Sequence, residues 1–305
     1  MNKAFRQYSF LLYAFVLIGC VGMFSTTPIL TDPCQTEWLA VLKQAGIVLP
    51  HDRKPTDRNI DVLVFNIHDR VLPGWFFTDG HTEGEIVCIG ELAAQFDLVL
   101  LQEAWVHQRQ LAQFVPHVWA DHPLFIEGGG GDQWPQRWIC ETCMSPGLLM
   151  LSLTEIPLFA YAEPYRAFAG LNTKLDASDE FFSKGFQLVE FANFWVVNSH
   201  LDAGRGQDSV DARRAQLQQL TFALKQLVPE RIPLLVGMDA NLHADEEQDS
   251  TMLAQFLKAN HLEVVMHNGP DMILVRGLTT SMPQVLPLKR VLSDHNAQSV
   301  IFDEE

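Results

Sequence analysis

The stretch Arg231-Ile-Pro-Leu-Leu-Val-Gly-Met-Asp239-Ala-Asn241 decides how the chain is read. The apolar run from Ile232 to Val236 suits a short strand covered on both faces, and Gly237 is read as freeing the backbone to present polar side chains at the strand's carboxyl end. Asp239 and Asn241 stand two apart and so share one side. A carboxylate that can hold a metal or a water, beside an amide that can both donate to and accept from a phosphate oxygen, suits phosphoester hydrolysis. On its own, Asp-Ala-Asn after a strand is more commonly a turn, because both residues tolerate unusual backbone angles. Other strands that end in the same way shift that balance.

Upstream, Ile60-Asp-Val-Leu-Val-Phe-Asn66 has β-branched strand character and ends on Asn66. Glu83 to Phe96 repeats Ile86, Ile89, Leu92, Ala93 and Phe96 at helical spacing, and Asp97-Leu-Val-Leu-Leu-Gln-Glu103 is a second buried strand with a polar end. Strands are predicted over Gly147 to Ser152 and Leu158 to Arg166, bounded by Pro146 and Pro157. Phe186 to Phe191 and Phe194 to Ser199 form a hairpin that delivers His200. Gln207 to Leu227 and Ser250 to Ala259 read as helices. Asp271 to Val275, Gln284 to Leu288 and Gln298 to Phe302 read as strands, with Ser293-Asp294-His295 just before the last. Hairpins interspersed with long helices suggest two stacked mixed sheets with helices outside.

The charge narrows the substrate. Asp and Glu number 37 against 21 Lys and Arg, giving −16, spread along the chain, and such a field repels nucleic acid. Lipid or small phosphoesters fit better. No Pro-, Gly- or Ser-rich stretch divides the chain and no fixed-period repeat occurs, so one large domain is expected from 60 to 305, preceded by a helix and connector over 25–59.

Residues 1–24 have the grammar of a signal peptide: Lys3 and Arg6, then the uncharged Ser9-Phe-Leu-Leu-Tyr-Ala-Phe-Val-Leu-Ile-Gly19, then Cys20. The run falls short of the ~20 apolar residues that span a bilayer. Leu17-Ile-Gly-Cys20 resembles the lipobox of bacterial lipoproteins, which implies a lipidated Cys20 and a chain anchored in the bacterial cell envelope, periplasmic or at the surface; an ordinary signal peptide and secretion is the alternative. Export permits disulfides. Cys140-Glu-Thr-Cys143 suggests a local disulfide rather than a zinc half-site, since no second half completes it. Cys88 reads as a buried inert thiol on a helix, and Cys34 either pairs with it or stays free.

Collected, the strand ends offer Asn66, Glu103, His200, Asp239, Asn241, Asp271, Asp294 and His295. In this order, through Leu101-Gln-Glu103, Asn198-Ser-His200-Leu, Asp239-Ala-Asn241, Asp271 before Met-Ile-Leu, and Ser293-Asp-His295, the set resembles the endonuclease/exonuclease/phosphatase superfamily over Ile60 to Phe302. Ser183-Lys-Gly-Phe186 and Arg213-Arg-Ala-Gln-Leu217 look like its neutral sphingomyelinase branch. The resemblance departs at Met238, where the superfamily commonly has Gly. It implies an α/β fold, a four-layer α/β/β/α sandwich of two mixed sheets as in DNase I, and Mg2+-dependent phosphodiester hydrolysis. Glu103, Asn66 and Asp294 are then the metal residues, while Lys184, Asn241 and His200 bind phosphate. His295 is the general base oriented by Asp271, or Asp239 takes that role, and His200 faces the leaving oxygen. The expected substrate is a phospholipid at a membrane surface, sphingomyelin or a related choline lipid, and the expected state is a monomer. A nuclease is the enzymatic alternative and a non-catalytic adhesion or receptor module the outsider. Val71-Leu-Pro-Gly-Trp-Phe-Phe-Thr78, with aromatics too crowded to face one interior surface, is either a cap on the core or an interfacial wedge.

Overall fold

A computed structural model describes residues 37–47, 49–50, 59–69, 81–120, 146–153, 158–166, 184–243, 245–289 and 291–303. The signal segment with Cys20, Cys34, the Cys140–Cys143 pair, the 71–78 loop and Ser183 lie outside them.

Alternation along the first strand explains the layering. In β1 (Asn59–Asp69), Leu63, Phe65 and Ile67 enter one buried cluster while Ile60, Val62 and Val64 enter another. Successive side chains of a strand point to opposite faces, so a strand apolar on both must be covered on both. The remaining strands are β2 (Leu98–Ala104), β3 (His117–Ala120), β4 (Leu149–Ser152), β5 (Phe159–Pro164), β6 (Gly185–Glu190), β7 (Trp195–His200), β8 (Leu234–Asp239), β9 (Glu263–Asn268), β10 (Asp271–Arg276), β11 (Thr279–Leu286) and β12 (Ala297–Asp303). They form two six-stranded mixed sheets, β11-β12-β1-β2-β4-β3 and β5-β6-β7-β8-β10-β9. Helices α1 (Glu37–Gln44) and α2 (Glu83–Ala93) cover the first sheet, through Trp38, Leu42, Ile86 and Ile89. Helices α4 (Gln207–Leu227) and α5 (Glu247–Asn260) cover the second, through Leu217, Leu220, Met252 and Phe256. A short α3 (Gln108–Leu111) follows β2. The layers are therefore α/β/β/α, as expected. Among the described residues no helix is long and apolar enough to cross a membrane.

Local signals place these helices. Thr82 caps α2 and exchanges hydrogen bonds with Glu85 in a capping box, which satisfies donors that the first helical turn leaves free. Inside α4, Arg213 is fully buried: it donates to both oxygens of Asp249 on α5 at 3.1 and 3.0 Å and to the carbonyl of Gly204 at 2.7 Å. The same carboxylate accepts from His243 N at 2.9 Å. Arg213 thus ties the loops that follow β7 and β8, a positional duty within the Arg213-to-Leu217 motif.

Gly237 corrects the sequence reading. It lies inside β8, not at its end, and a Cβ there would stand 2.6 Å from Leu100 and 2.7 Å from Val64 on the opposing sheet. Its missing side chain lets the sheets approach. They are also joined by a buried polar bridge in which Gln102 donates to Asn198 Oδ1 at 2.7 Å and Asn198 donates to Leu101 O at 2.9 Å. Cys88 is corrected as well: it is disulfide-bonded, to a partner outside the described residues. β3, α3 and β9 are elements that sequence reasoning did not find. β9 is an edge strand with mostly exposed or half-buried side chains, so its apolar alternation is weak.

Candidate active site

Register delivers the polar ends to one place. β7 and β8 run parallel with His200 beside Asp239, and β10 runs antiparallel to β8 with its first residue, Asp271, opposite Asp239. β1 and β2, parallel in the other sheet, end nearby with Asn66 and Glu103. Asn66 Nδ2 crosses between the sheets to donate to Asp239 Oδ2 at 2.8 Å. Ser293 donates to Asn66 O at 2.7 Å and accepts from His295 N at 3.1 Å, seating the 293–295 turn on the end of β1.

Asp239 is the hub. Its Oδ2 lies 3.5 Å from His200 Nε2 and 4.0 Å from His295 Nε2. Burial pushes its pKa up and the neighbouring Asp271 charge adds to this, while His200, His295 and the Asn66 bond pull it back. Like carboxylates on paired strands cost energy unless compensated. His295 compensates here, with Nδ1 2.8 Å from Asp271 Oδ2. Burial disfavours charge on that ring, but the Asp271 hydrogen bond and the charges of Asp271, Asp239 and Asp294 override it and hold His295 at about 9. Burial likewise raises Asp271, against the pull of His295. With Nδ1 engaged by a carboxylate, Nε2 is the ring atom left to exchange a proton with a ligand.

His200 has a different neighbour. Lys184 Nζ lies 2.9 Å from His200 Nε2 and 4.0 Å from Glu103 Oε1, and 5.6 Å from the centre of the Trp105 ring. An ammonium can only donate, so Nε2 accepts. A Cβ on Gly147 would stand 2.4 Å from the Trp105 indole nitrogen, so that close approach, at φ 69, requires glycine. Glu103 is buried with φ 56, a strained conformation for a non-glycine residue. Its Oε1 faces His200 Nε2 at 3.7 Å and its Oε2 faces His68 Nδ1 at 3.5 Å.

All the strand-end residues singled out by sequence are described, as is Lys184, and Asn66, Glu103, Lys184, His200, Asp239, Asp271 and His295 form one network. Asp294 joins it through its Oδ1, 3.1 Å from His68 Nδ1 and 3.8 Å from His295 Nε2. Burial raises its pKa, but the His68 bond and the charges of His68 and His295 outweigh this and leave it lowered. Asn241 is turned partly into the scaffold: its N–H donates to Asp239 Oδ1 at 3.1 Å and its side chain to Leu201 O at 3.0 Å. His68 and Trp105 were missed. Asn66 and His68 stand two apart, the spacing that singled out Asp239 and Asn241, so a signal for His68 was present. Trp105 had no signal beyond its nearness to Glu103.

No protein-family profile and no curated protein matches the chain in sequence. Solved structures do match in shape. An endonuclease/exonuclease/phosphatase from Bacteroides vulgatus superposes with TM-score 0.56 at 16% identity, over 81% of this chain and 99% of that one. Sphingomyelinase C from Streptomyces griseocarneus gives 0.54 at 16% over 81% and 99%. A beta toxin double mutant from Staphylococcus aureus, with bound magnesium ions, gives 0.54 at 14% over 81% and 100%. The fold is that of the endonuclease/exonuclease/phosphatase superfamily. Within this superfamily fold the clustered side chains have the chemistry of a cation site. Ligand atoms of Glu103, His200 and Asp239 lie within 4.8 Å of one another, as do those of Asp239, Asp271 and His295. The carboxylates of Glu103, Asp239, Asp271 and Asp294 gather here, and hard carboxylate oxygens suit magnesium.

Proposed function

We propose that the chain is an exported, divalent-metal-dependent phosphodiesterase that hydrolyses the head-group ester of a phospholipid, sphingomyelin or a related choline lipid. The observation that carries this reading is the Asp271–His295 pair, 2.8 Å apart, which turns a proton-exchanging Nε2 toward the buried Asp239 and its neighbours Asn66 and His200. His295 takes the proton of the attacking water, Asp271 stabilises the ring while it is charged, and Asp239 helps to orient the water. Lys184, on the far side of Asp239, donates to the phosphate or to the leaving oxygen, His200 holds its ammonium in place, and Asn241 supports the same oxygens. A divalent cation would be held by Glu103 and Asp294, with Asn66 behind them; it would supply charge neutralisation at the phosphate and would lower the proton affinity of His295.

The fold neighbours, which include a sphingomyelinase, support phosphodiester chemistry. The net charge of −16 favours a lipid over a nucleic acid. The disulfide at Cys88 fits an oxidising compartment, and with the lipobox it supports a chain anchored to the bacterial envelope through acylated Cys20. Mass spectrometry of the membrane-extracted protein should find that cysteine modified; an unmodified Cys20 removes the anchor from the reading.

The experiment is a panel of sphingomyelin, phosphatidylcholine, a soluble nitrophenyl phosphodiester and single-stranded DNA, each with and without magnesium. Release of phosphocholine that needs the metal and vanishes in Glu103→Ala is expected. Cleavage of DNA alone would transfer the assignment to a nuclease, and inertness toward every diester would overturn the enzymatic reading.

A further inference from the structure

The backbone is bent to place His68 in the site. Pairing between β1 and β2 shifts register between Asn66 and Asp69, and His68 adopts φ 54, which non-glycine residues seldom do. Its N–H is held by Asn66 Oδ1 at 3.0 Å. The distortion brings the imidazole to the end of β2, with Nδ1 3.1 Å from Asp294 Oδ1 and 3.5 Å from Glu103 Oε2. Around an octahedral ion whose ligands stand at ~2.1 Å, adjacent donor atoms are about 3 Å apart. The ring nitrogen therefore stands at about ligand spacing from each carboxylate.

The other oxygen of Glu103 faces a different environment. Lys184 Nζ, buried, is 4.0 Å from Oε1 and 2.9 Å from His200 Nε2. The lone pair with which His200 Nε2 would bind a metal is taken by the ammonium, and the ammonium's charge repels a divalent ion. The cluster of Glu103, His200 and Asp239 is thereby closed to a cation on that flank.

We propose that His68 Nδ1 is a ligand of a divalent cation bound with Glu103 Oε2 and Asp294 Oδ1, and that Lys184 closes the flank formed by Glu103, His200 and Asp239 to a further ion. The inference rests on the metal-dependent reading above and deepens it. A nitrogen ligand makes the site more tolerant of manganese or cobalt than an all-oxygen site, because magnesium keeps an oxygen and water shell while imidazole suits the transition metals.

The test titrates the detergent-solubilised full chain with Mn2+, followed by equilibrium dialysis and electron paramagnetic resonance. Wild type is expected to bind about one ion per chain and to show nitrogen-14 coupling in the pulsed spectrum. His68→Gly, which the left-handed backbone accepts without strain, should lose that coupling and bind Mn2+ ~10–100-fold more weakly, a loss of the size seen when a site's supporting groups are removed. Lys184→Met should admit a second ion. Absence of nitrogen coupling in the wild type, or its persistence in His68→Gly, overturns the ligand assignment while leaving the metal reading standing. An unchanged number of bound ions in Lys184→Met overturns the role given to Lys184. No saturable Mn2+ binding by the wild type removes both the inference and the metal reading.

Discussion

His295 and His200 both turn Nε2 toward Asp239 Oδ2, at 4.0 and 3.5 Å, but His295 has the Asp271 carboxylate at its other nitrogen while His200 meets the Lys184 ammonium. A carboxylate behind a ring raises its affinity for a proton, whereas an ammonium donating to a ring keeps that nitrogen as an acceptor. The His295 side chain is also 14% exposed, enough to meet a ligand, and His200 is buried. One ring is thus equipped to take up and hold charge, and the other to hold the Lys184 ammonium beside Asp239. The difference assigns the two histidines separate duties although their sequence contexts look alike.

The strongest way to break the comparison is to remove each ring. His295→Ala should lower phosphodiester turnover by ~10²–10⁴-fold, the usual yield of a positioned acid–base group, with near-UV circular dichroism unchanged. Turnover within a few-fold of wild type would take the base role from His295 and give it to Asp239. Next in size, Arg213→Met strands Asp249 without its partner and should cost about 3–5 kcal/mol in chemical denaturation. Because Arg213 also holds Gly204 O after β7, the loss of activity should follow the His200 side of the site and leave the titration of His295 intact.

A pH experiment sharpens the contrast. Without added metal, His295 should titrate by NMR near 9, and Asp271→Asn should return it toward its ordinary 6.5. The sign for stability follows from the raised folded pKa. The contribution of protonated His295 is complete below the unfolded value of 6.5 and disappears as pH rises through about 9. Asp239 and Asp271, also raised, act in the same direction starting from the ordinary 3.8. Denaturation midpoints should therefore fall with rising pH across this range, and less so in Asp271→Asn; an equal slope in both proteins would separate the pair energetically. Smaller still, Asn198→Ala leaves the Gln102 amide with only its 3.4 Å bond to Leu100 O and should cost about 1–3 kcal/mol. Phe222→Ser, on an exposed helix face, should change stability by no more than about 0.5 kcal/mol and leave both histidines untouched.

Much of this arrangement could be read from residue patterns. β8 was found because its apolar run needs cover on both faces, and the helix over Gln207 to Leu227 because its periodicity is long. The strand-end residues were found because polar groups interrupt apolar runs at recognisable places. His68 was overlooked because its participation depends on a register shift and a left-handed backbone, and neither alters the one-dimensional pattern. Cys88 was read as inert because spacing cannot show which cysteine approaches it in space.

By itself the sequence determined the layers, the order of the strand-end residues and the sign of the protein's field, since these follow from hydrophobic period, residue identity and summed charge. Tertiary structure alone decided that Gly237 is a point of close approach between sheets, that Lys184 faces His200 instead of solvent, and that Asp271 stands behind one histidine and not the other. The physical reason is that a pKa or a ligand set depends on distances of a few ångströms between side chains far apart in the chain, and only the packing of one sheet on the other sets those distances.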